Sequence, residues 1–327
     1  MSEMKAIWVE EFGGPEVLEY VEVERPAPGE GEVLIEVGAV GVNYADTMRR
    51  KNQYILRQEL PFVPGSEVSG TVSTLGSGVG GVSEGDRVVT LLGTGGYAEY
   101  VVAPVQGLIQ IPDGLGLDEA AAIPLQGLTA YHVLETSGLL KEGESVLVHA
   151  AAGGVGSLAV QMAKLLGAGR VIATASTQEK LDLAGSLGAD TLINYTEEDW
   201  PEKVREVTGG AGADIILEMV GGDFVEKNLK CLAAFGRMVV YGSASGERGS
   251  MVPADLMRKN QVVAGFFLPR ITAQPELLGP SLEKVLGWIS SGDLKLLIGA
   301  RYTLEEAQEA HEALEGRRTT EKVLLYP

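Results

Sequence analysis

ESVLVHAAAGGVGSLAVQMAKLLGAG, residues 144 to 169, decides the architecture of this chain. Ser145 to His149 is a short apolar run rich in valine, the composition of a strand buried on both faces of a parallel sheet. Gly153, Gly154 and Gly156 follow at once. Val155, Leu158, Ala159, Met162, Leu165 and Leu166 then recur at helical spacing, and Gly167 supplies a stop. Strand, glycine turn and helix together aim backbone N–H groups and the positive end of a helix dipole at one point, which suits a pyrophosphate. The glycine positions of the dinucleotide fingerprint G-x-G-x-x-G fall on Ala151, Gly153 and Gly156. Alanine at the first of them demands a turn with negative φ.

Downstream, strand-like and helical segments alternate. Arg170 to Ala175, Asp190 to Tyr195, Asp214 to Val220, Arg237 to Tyr241 and Val262 to Phe267 read as strands. Gln178 to Leu187, Trp200 to Thr208 and Phe224 to Phe235 read as helices. Counting the first, six strands with intervening helices predict an α/β fold, a doubly wound parallel sheet.

Residues before about 124 differ in character. Valine and glycine abound, and turn signals recur at Phe12 to Pro15, Pro26 to Gly29 and Ser83 to Asp86. Val33 to Val37, Gly70 to Leu75, Arg87 to Leu92 and Tyr97 to Val102 predict the short strands of a compact barrel or sandwich. Near the C-terminus a helix is expected around Pro280 to Ser291, another over Leu304 to Leu314, and a last strand from Lys322. One helix pair and a strand make a poor domain alone, so this segment is expected to return to the first domain. The predicted division is 125–267 for the dinucleotide domain and 1–124 plus 268–327 for the β-rich one. A length of 327 residues fits two domains at ~150 residues each.

Composition narrows the function classes. The net charge of −19 opposes binding to a nucleic-acid backbone, although a few local cations can still hold one anionic cofactor. No apolar run reaches the ~18 residues of a membrane span, and the N-terminus lacks the pattern of a secretory signal. A cytoplasmic protein is expected. The single cysteine, Cys231, excludes an intramolecular disulfide and reads as a small buried apolar residue of its helix. No Ser–His–Asp hydrolase signature is present.

Several motifs carry a family resemblance: PFVPGSEVSG from Pro61, GDRVV from Gly85, GGYAEYVVAP from Gly95, AAAIPLQGLTAYHVL from Ala120 and VLVHAAAGGVG from Val146. Together and in this order they resemble the medium-chain dehydrogenase/reductase superfamily, and within it the zinc-free quinone oxidoreductase branch. The resemblance runs nearly end to end. It implies a GroES-like catalytic domain, a Rossmann domain and a cofactor cleft between the two. Zinc members of the superfamily carry G-H-E for the catalytic metal; here the stretch is Gly65-Ser66-Glu67, and their cysteine ligand matches a position near Asn43. The three histidines, His132, His149 and His311, are widely separated. No zinc ligand set converges in the sequence, and no metal is expected.

The choice of nicotinamide cofactor rests on the second strand. An NAD site usually ends that strand with a carboxylate for the ribose 2′-OH. Here it ends Thr174-Ala175-Ser176-Thr177, with Lys180 one helical turn later, which favours a 2′-phosphate and hence NADP(H). The resemblance implies that Ser176, Lys180, Tyr195 and Arg317 contact that phosphate. It also implies cofactor contacts from Asn43, Thr129, Ala152, Gly153, Gly154, Val155, Gly242, Ser243 and Phe267. The family's Gly-Lys before the last strand appears as Glu321-Lys322. Without zinc the electrophile must be activated already, as in a quinone or an α,β-unsaturated carbonyl. The catalytic candidates are Asn43 beside the nicotinamide and Tyr54 at the substrate mouth. Tyr44 and Asp46 are weaker candidates, and Met48 fills a slot that is tyrosine in some members. An enoyl-thioester reductase and a non-catalytic NADPH-binding protein are the alternatives. A homodimer joined through Val262 to Phe267 is implied.

Overall fold

A computed structural model describes residues 2–327. The chain divides into two units, residues 1–125 with 296–327, and residues 126–295. In chain order the first unit begins with β1 (Glu3–Trp8), β2 (Glu19–Glu24), β3 (Glu32–Val42), α1 (Tyr44–Arg50), β4 (Glu67–Leu75), β5 (Arg87–Leu91), β6 (Tyr100–Pro104), β7 (Leu108–Gln110) and α2 (Leu117–Ala120). Next come α3 (Pro124–Leu134), β8 (Ser145–Val148), α4 (Gly154–Leu165), β9 (Arg170–Ala175), α5 (Gln178–Ser186), β10 (Thr191–Asn194) and α6 (Trp200–Val207). The series continues with β11 (Ala213–Glu218), α7 (Phe224–Cys231), β12 (Leu232–Val240), β13 (Val262–Gly265), α8 (Leu268–Thr272) and α9 (Pro275–Ser291). The chain ends with β14 (Ile298–Thr303), α10 (Ala307–Glu315) and β15 (Lys322–Tyr326).

In the second unit all six strands lie parallel in the order β10-β9-β8-β11-β12-β13. This is the doubly wound order, with its switch point between β8 and β11. Every residue of Val146 to Val148, Val171 to Ala175 and Ile215 to Glu218 is buried, as the continuous apolar runs require. Leu147, Ile172, Ile216 and Met238 meet Trp200 and Val204 of α6 in one core. Cys231 belongs to that core, and burial pushes its thiol up to about 12.

Helix α9 starts at Pro275, before the expected Pro280, and two further boundaries differ for reasons the contacts show. Helix α7 stops at Cys231 instead of Phe235, because Leu232 already pairs with Ala213 and the chain turns through Phe235 at φ 61°. The return to the first unit falls at Leu296, not at residue 268. Gln161 of α4 explains this: it donates to Lys295 O (3.1 Å) and accepts from Lys295 N (2.9 Å), which ties the segment after α9 to the second unit.

The first unit is antiparallel apart from its last pair. Strands run β14-β15-β3-β4-β5-β7, with β6 also on β3 and with β1-β2 as a separate ribbon. Long β3 carries bulges near Leu34 and Val37 that let it bend and serve three partners. The ends of the chain close its core: Leu304, Ala307, Ala310, Val323 and Leu325 pack with Ile7, Val9, Val33 and Val40. In this unit the sequence reading missed β1, β2, β7, β14, α1 and α2. Among the described residues no helix is long and apolar enough to cross a membrane.

Candidate functional site

The glycine turn is built as its sequence demands. Ala151 N donates to Thr174 O (3.0 Å) and Gly153 N to Ala150 O (2.8 Å). The left-handed residue of the turn is Ala150, at φ 48°, so Ala151 keeps a negative φ. No side chain caps α4, and its first internal bond is Ser157 N to Gly153 O (2.8 Å). The amides of Gly154, Val155 and Gly156 precede that bond, at the positive end of the helix dipole. A Cβ on Gly156 would meet Ala150 O at 2.3 Å and Ala151 Cα at 2.8 Å. A Cβ on Gly154 would meet the amide of Gln126 at 2.1 Å. Ala152 is buried within the turn.

The other candidates of this unit lie at the C-terminal ends of the strands, where open α/β sheets bind ligands. Ala175 is in register with Asn194, so Ser176 and Tyr195 leave adjacent strands side by side. Tyr195 N donates to Ala175 O (3.2 Å), and its ring meets Phe224 edge-on. The Thr177 hydroxyl accepts from Lys180 N at the start of α5. Val240 is in register with Gly265, so Gly242 and Ser243 emerge beside Phe267. Ser243 donates to Glu247 O (3.0 Å). Thr129, buried in α3, lies one helical turn beyond Gln126.

Beneath these loops runs a chain of buried polar groups that the sequence reading did not find. Glu218 accepts from Val220 N (2.6 Å) and Gly221 N (2.7 Å). It also accepts from the Asn228 amide, which turns Asn228 Oδ1 toward His149 Nε2 (2.8 Å). His149 therefore donates from Nε2 and accepts at Nδ1 from the Thr174 hydroxyl (2.8 Å). Burial lowers the His149 pKa and keeps the ring neutral. A histidine ending an apolar strand was the only signal available.

In the first unit a second polar chain surrounds Asn43. The Asn43 backbone N–H donates to Asp46 Oδ2 (2.9 Å), and its side-chain amide donates to Gly41 O (2.9 Å) and Glu67 Oε2 (3.2 Å). Lys322 Nζ lies 2.6 Å from Glu67 Oε2 and 3.0 Å from Asn43 Oδ1. Ser66 donates to Asp46 Oδ1 (3.1 Å). Thus Asn43 and Glu67, in the slots discussed for zinc, bond to each other and to Lys322, and Ser66 bonds to Asp46. Among the described residues no group of three or more His, Cys, Asp or Glu could hold a metal. Asp46 is fully buried, and burial pushes its carboxyl up to about 6 against the bonds from Asn43 and Ser66.

The chain continues through Tyr97. Arg50 Nη1 donates to His311 Nδ1 (3.0 Å), so His311 carries its proton on Nε2 and faces Tyr97 Oη (2.9 Å). Arg50 also pairs with Glu315 (2.8 Å). Burial, with the charges of Arg50 and Lys51, pushes the His311 pKa down to about 3. Tyr54 sits in the loop after α1 with the Arg49 guanidinium 4.3 Å from its ring centroid, and burial raises its phenol pKa. Neighbouring Ile55 is 76% exposed. Tyr44 and Met48 are half-buried on α1. Arg317 follows α10 at φ 54° and belongs to this unit, whereas Ser176, Lys180 and Tyr195 belong to the other.

Comparisons with known proteins agree with this architecture. Residues 29–113 match the family model of the alcohol dehydrogenase GroES-like domain, and residues 154–283 match that of a zinc-binding dehydrogenase. A quinone oxidoreductase of Pseudomonas aeruginosa is 38% identical, over 99% of both chains. A mycobacterial protein solved with NADPH superposes at a TM-score of 0.94, with 40% identity over 99% of this chain and 100% of the other. The Escherichia coli quinone oxidoreductase complexed with NADPH also superposes at 0.94, with 37% identity and the same coverage.

Proposed function

Because this chain belongs to the quinone oxidoreductase branch of the medium-chain dehydrogenase/reductase superfamily, we propose that it is an NADPH-dependent oxidoreductase that reduces quinones or α,β-unsaturated carbonyls without zinc. The observation that carries the cofactor reading is the end of β9. Ser176 and Thr177 stand where an NAD site has a carboxylate, Tyr195 leaves the neighbouring strand beside them, and Lys180 follows within one turn of α5. Hydroxyls and an ammonium suit a 2′-phosphate, which a carboxylate would repel. The uncapped start of α4 suits a pyrophosphate, and Gly156 leaves no room for a side chain between the helix and the backbone of Ala150 and Ala151.

When bound, the nicotinamide supplies the hydride. The protein's part is to hold the cofactor through Gly153, Gly154, Val155, Ser176, Lys180, Tyr195 and Arg317, with Asn43 and Thr129 toward the nicotinamide. Ala152, Gly242, Ser243 and Phe267 complete the proposed contacts. Tyr54, with the exposed Ile55 and Leu56 after it, would receive the acceptor. The oxygens of Glu67 and Asn43 already accept from a cation, the Lys322 ammonium, which repels a divalent ion. An acceptor conjugated to its own carbonyl needs no such ion. In this reading two copies pair along Val262 to Phe267, at β13, the open edge of the parallel sheet, where Val262 is 49% exposed.

Titration with NADPH and NADH tests the cofactor. Tight binding of NADPH is expected, and Lys180→Ala should weaken it 10- to 100-fold, the loss of a charged hydrogen bond, while NADH is unchanged. Equal effects on both contradict the assignment. Stopped-flow oxidation of NADPH across quinones, enones and enoyl-CoAs tests the acceptor. Turnover of enoyl-CoA far above the rest would replace it with a thioester, and binding without oxidation by any acceptor would leave a binding protein. Bound zinc near one equivalent per chain would overturn the metal-free mechanism.

A further inference from the structure

We infer that Lys322 is a positioning residue, acting through Asn43 on the nicotinamide half of the cofactor; this rests on the NADPH reading above. Lys322 opens β15, whose next residues are Val323, Leu324 and Leu325, and it is 1% exposed. Its ammonium lies between Glu67 Oε2 at 2.6 Å and Asn43 Oδ1 at 3.0 Å. Glu67 is itself fully buried, and its second oxygen is held by Leu125 N at 2.7 Å. The Asn43 amide nitrogen faces Gly41 O and Glu67 Oε2. A flipped carboxamide would set its NH2 against an ammonium and its oxygen against a carboxylate and a carbonyl. One orientation is therefore enforced from both sides.

Stability alone does not account for this arrangement. A buried ion pair rarely improves on well-packed apolar residues of the same volume, because desolvating both charges offsets their attraction. The fold also gives up a side chain to make room. A Cβ on Gly41 would meet Glu67 Oε2 at 2.5 Å, Ala121 O at 2.5 Å and Lys322 Cε at 2.7 Å. A buried lysine, a buried glutamate and a glycine all serve one carboxamide. That carboxamide begins α1, where the Asn43 backbone N–H is held by Asp46 at 2.9 Å.

The test compares NADPH with 2′,5′-ADP, which carries the adenosine half alone, by calorimetry on Lys322→Met and on Lys322→Met with Glu67→Gln. The single variant leaves Glu67 buried without its cation and should melt lower. The double variant removes both charges and should recover melting temperature. Both should bind 2′,5′-ADP within about twofold of wild type yet bind NADPH about tenfold more weakly. Adding Asn43→Ala to the double variant should cost no further NADPH affinity, since the lysine works through that side chain. Wild-type NADPH affinity in the double variant, equal losses for the two ligands, or additive losses with Asn43→Ala would each overturn the inference. Failure of the wild-type protein to bind either ligand would instead remove the NADPH reading itself.

Discussion

Glu321 occupies a backbone position that favours glycine. Its φ is 59°, in the left-handed region, where a Cβ crowds the following carbonyl. Glycine, which the resemblance leads one to expect there, would adopt this conformation without that crowding. Here the strain sits directly before Lys322, whose ammonium must reach Glu67 and Asn43. Glu321→Gly should therefore stabilise the protein by about 1 kcal/mol, the relief of left-handed strain less the added freedom of the unfolded chain. Equilibrium urea unfolding at constant m-value checks this, and a loss of stability would show that the glutamate side chain contributes more than its backbone costs.

The glycine turn and α4 act as one element, and their glycines are not equivalent. At Gly156 a methyl group would press on the backbone of Ala150 and Ala151, which cannot yield without moving β8. At Gly154 its nearest neighbours would be the far end of the Gln126 side chain, which is more flexible than backbone. Gly156→Ala should cost 1–3 kcal/mol, as overpacking against fixed atoms does. Gly154→Ala should be nearly neutral, because helix propensity offsets the displaced glutamine. Thermal melts of both variants, with and without Gln126→Ala, separate the cases. Equal losses at the two positions would mean that the turn is uniformly tight. Spacing alone could not rank these glycines, since Gln126 comes from a helix that lies before the fingerprint in the chain.

Across the whole molecule, burial of neutral histidines sets how stability responds to acid. His311 is held neutral with a pKa of about 3, while the unfolded chain protonates it near 6.5. The unfolded state thus binds more protons below about pH 6.5, and stability should fall as the pH drops from there toward 3. His149, also lowered by burial, acts in the same direction. Asp46 acts oppositely: its carboxyl, raised to about 6, is costly to bury ionised, and that cost fades as pH falls through 6 toward the unfolded value. His311→Gln keeps an acceptor for Arg50 and a donor for Tyr97 but does not titrate. Its stability loss between pH 6.5 and pH 5 should be smaller than that of wild type by roughly 2 kcal/mol. Parallel curves for the two proteins would exclude His311 as the acid-sensitive group.

What the sequence determined by itself is local. Strand, glycine turn and helix follow from periodicity within a few residues, so all six parallel strands, the glycine turn before α4 and the polar end of β9 were legible. The early stop of α7 and the return at Leu296 were not, because a pairing with Ala213 and the bonds from Gln161 decide them. The tertiary structure alone decided the environment of Asn43. Lys322 is 279 positions away from it, and His311 is 261 positions from Arg50. No spacing rule reaches that far, and a lysine heading an apolar strand reads from sequence as an exposed strand end. Only closure of the first unit by the end of the chain desolvates these charges, and desolvation forces each to find a partner.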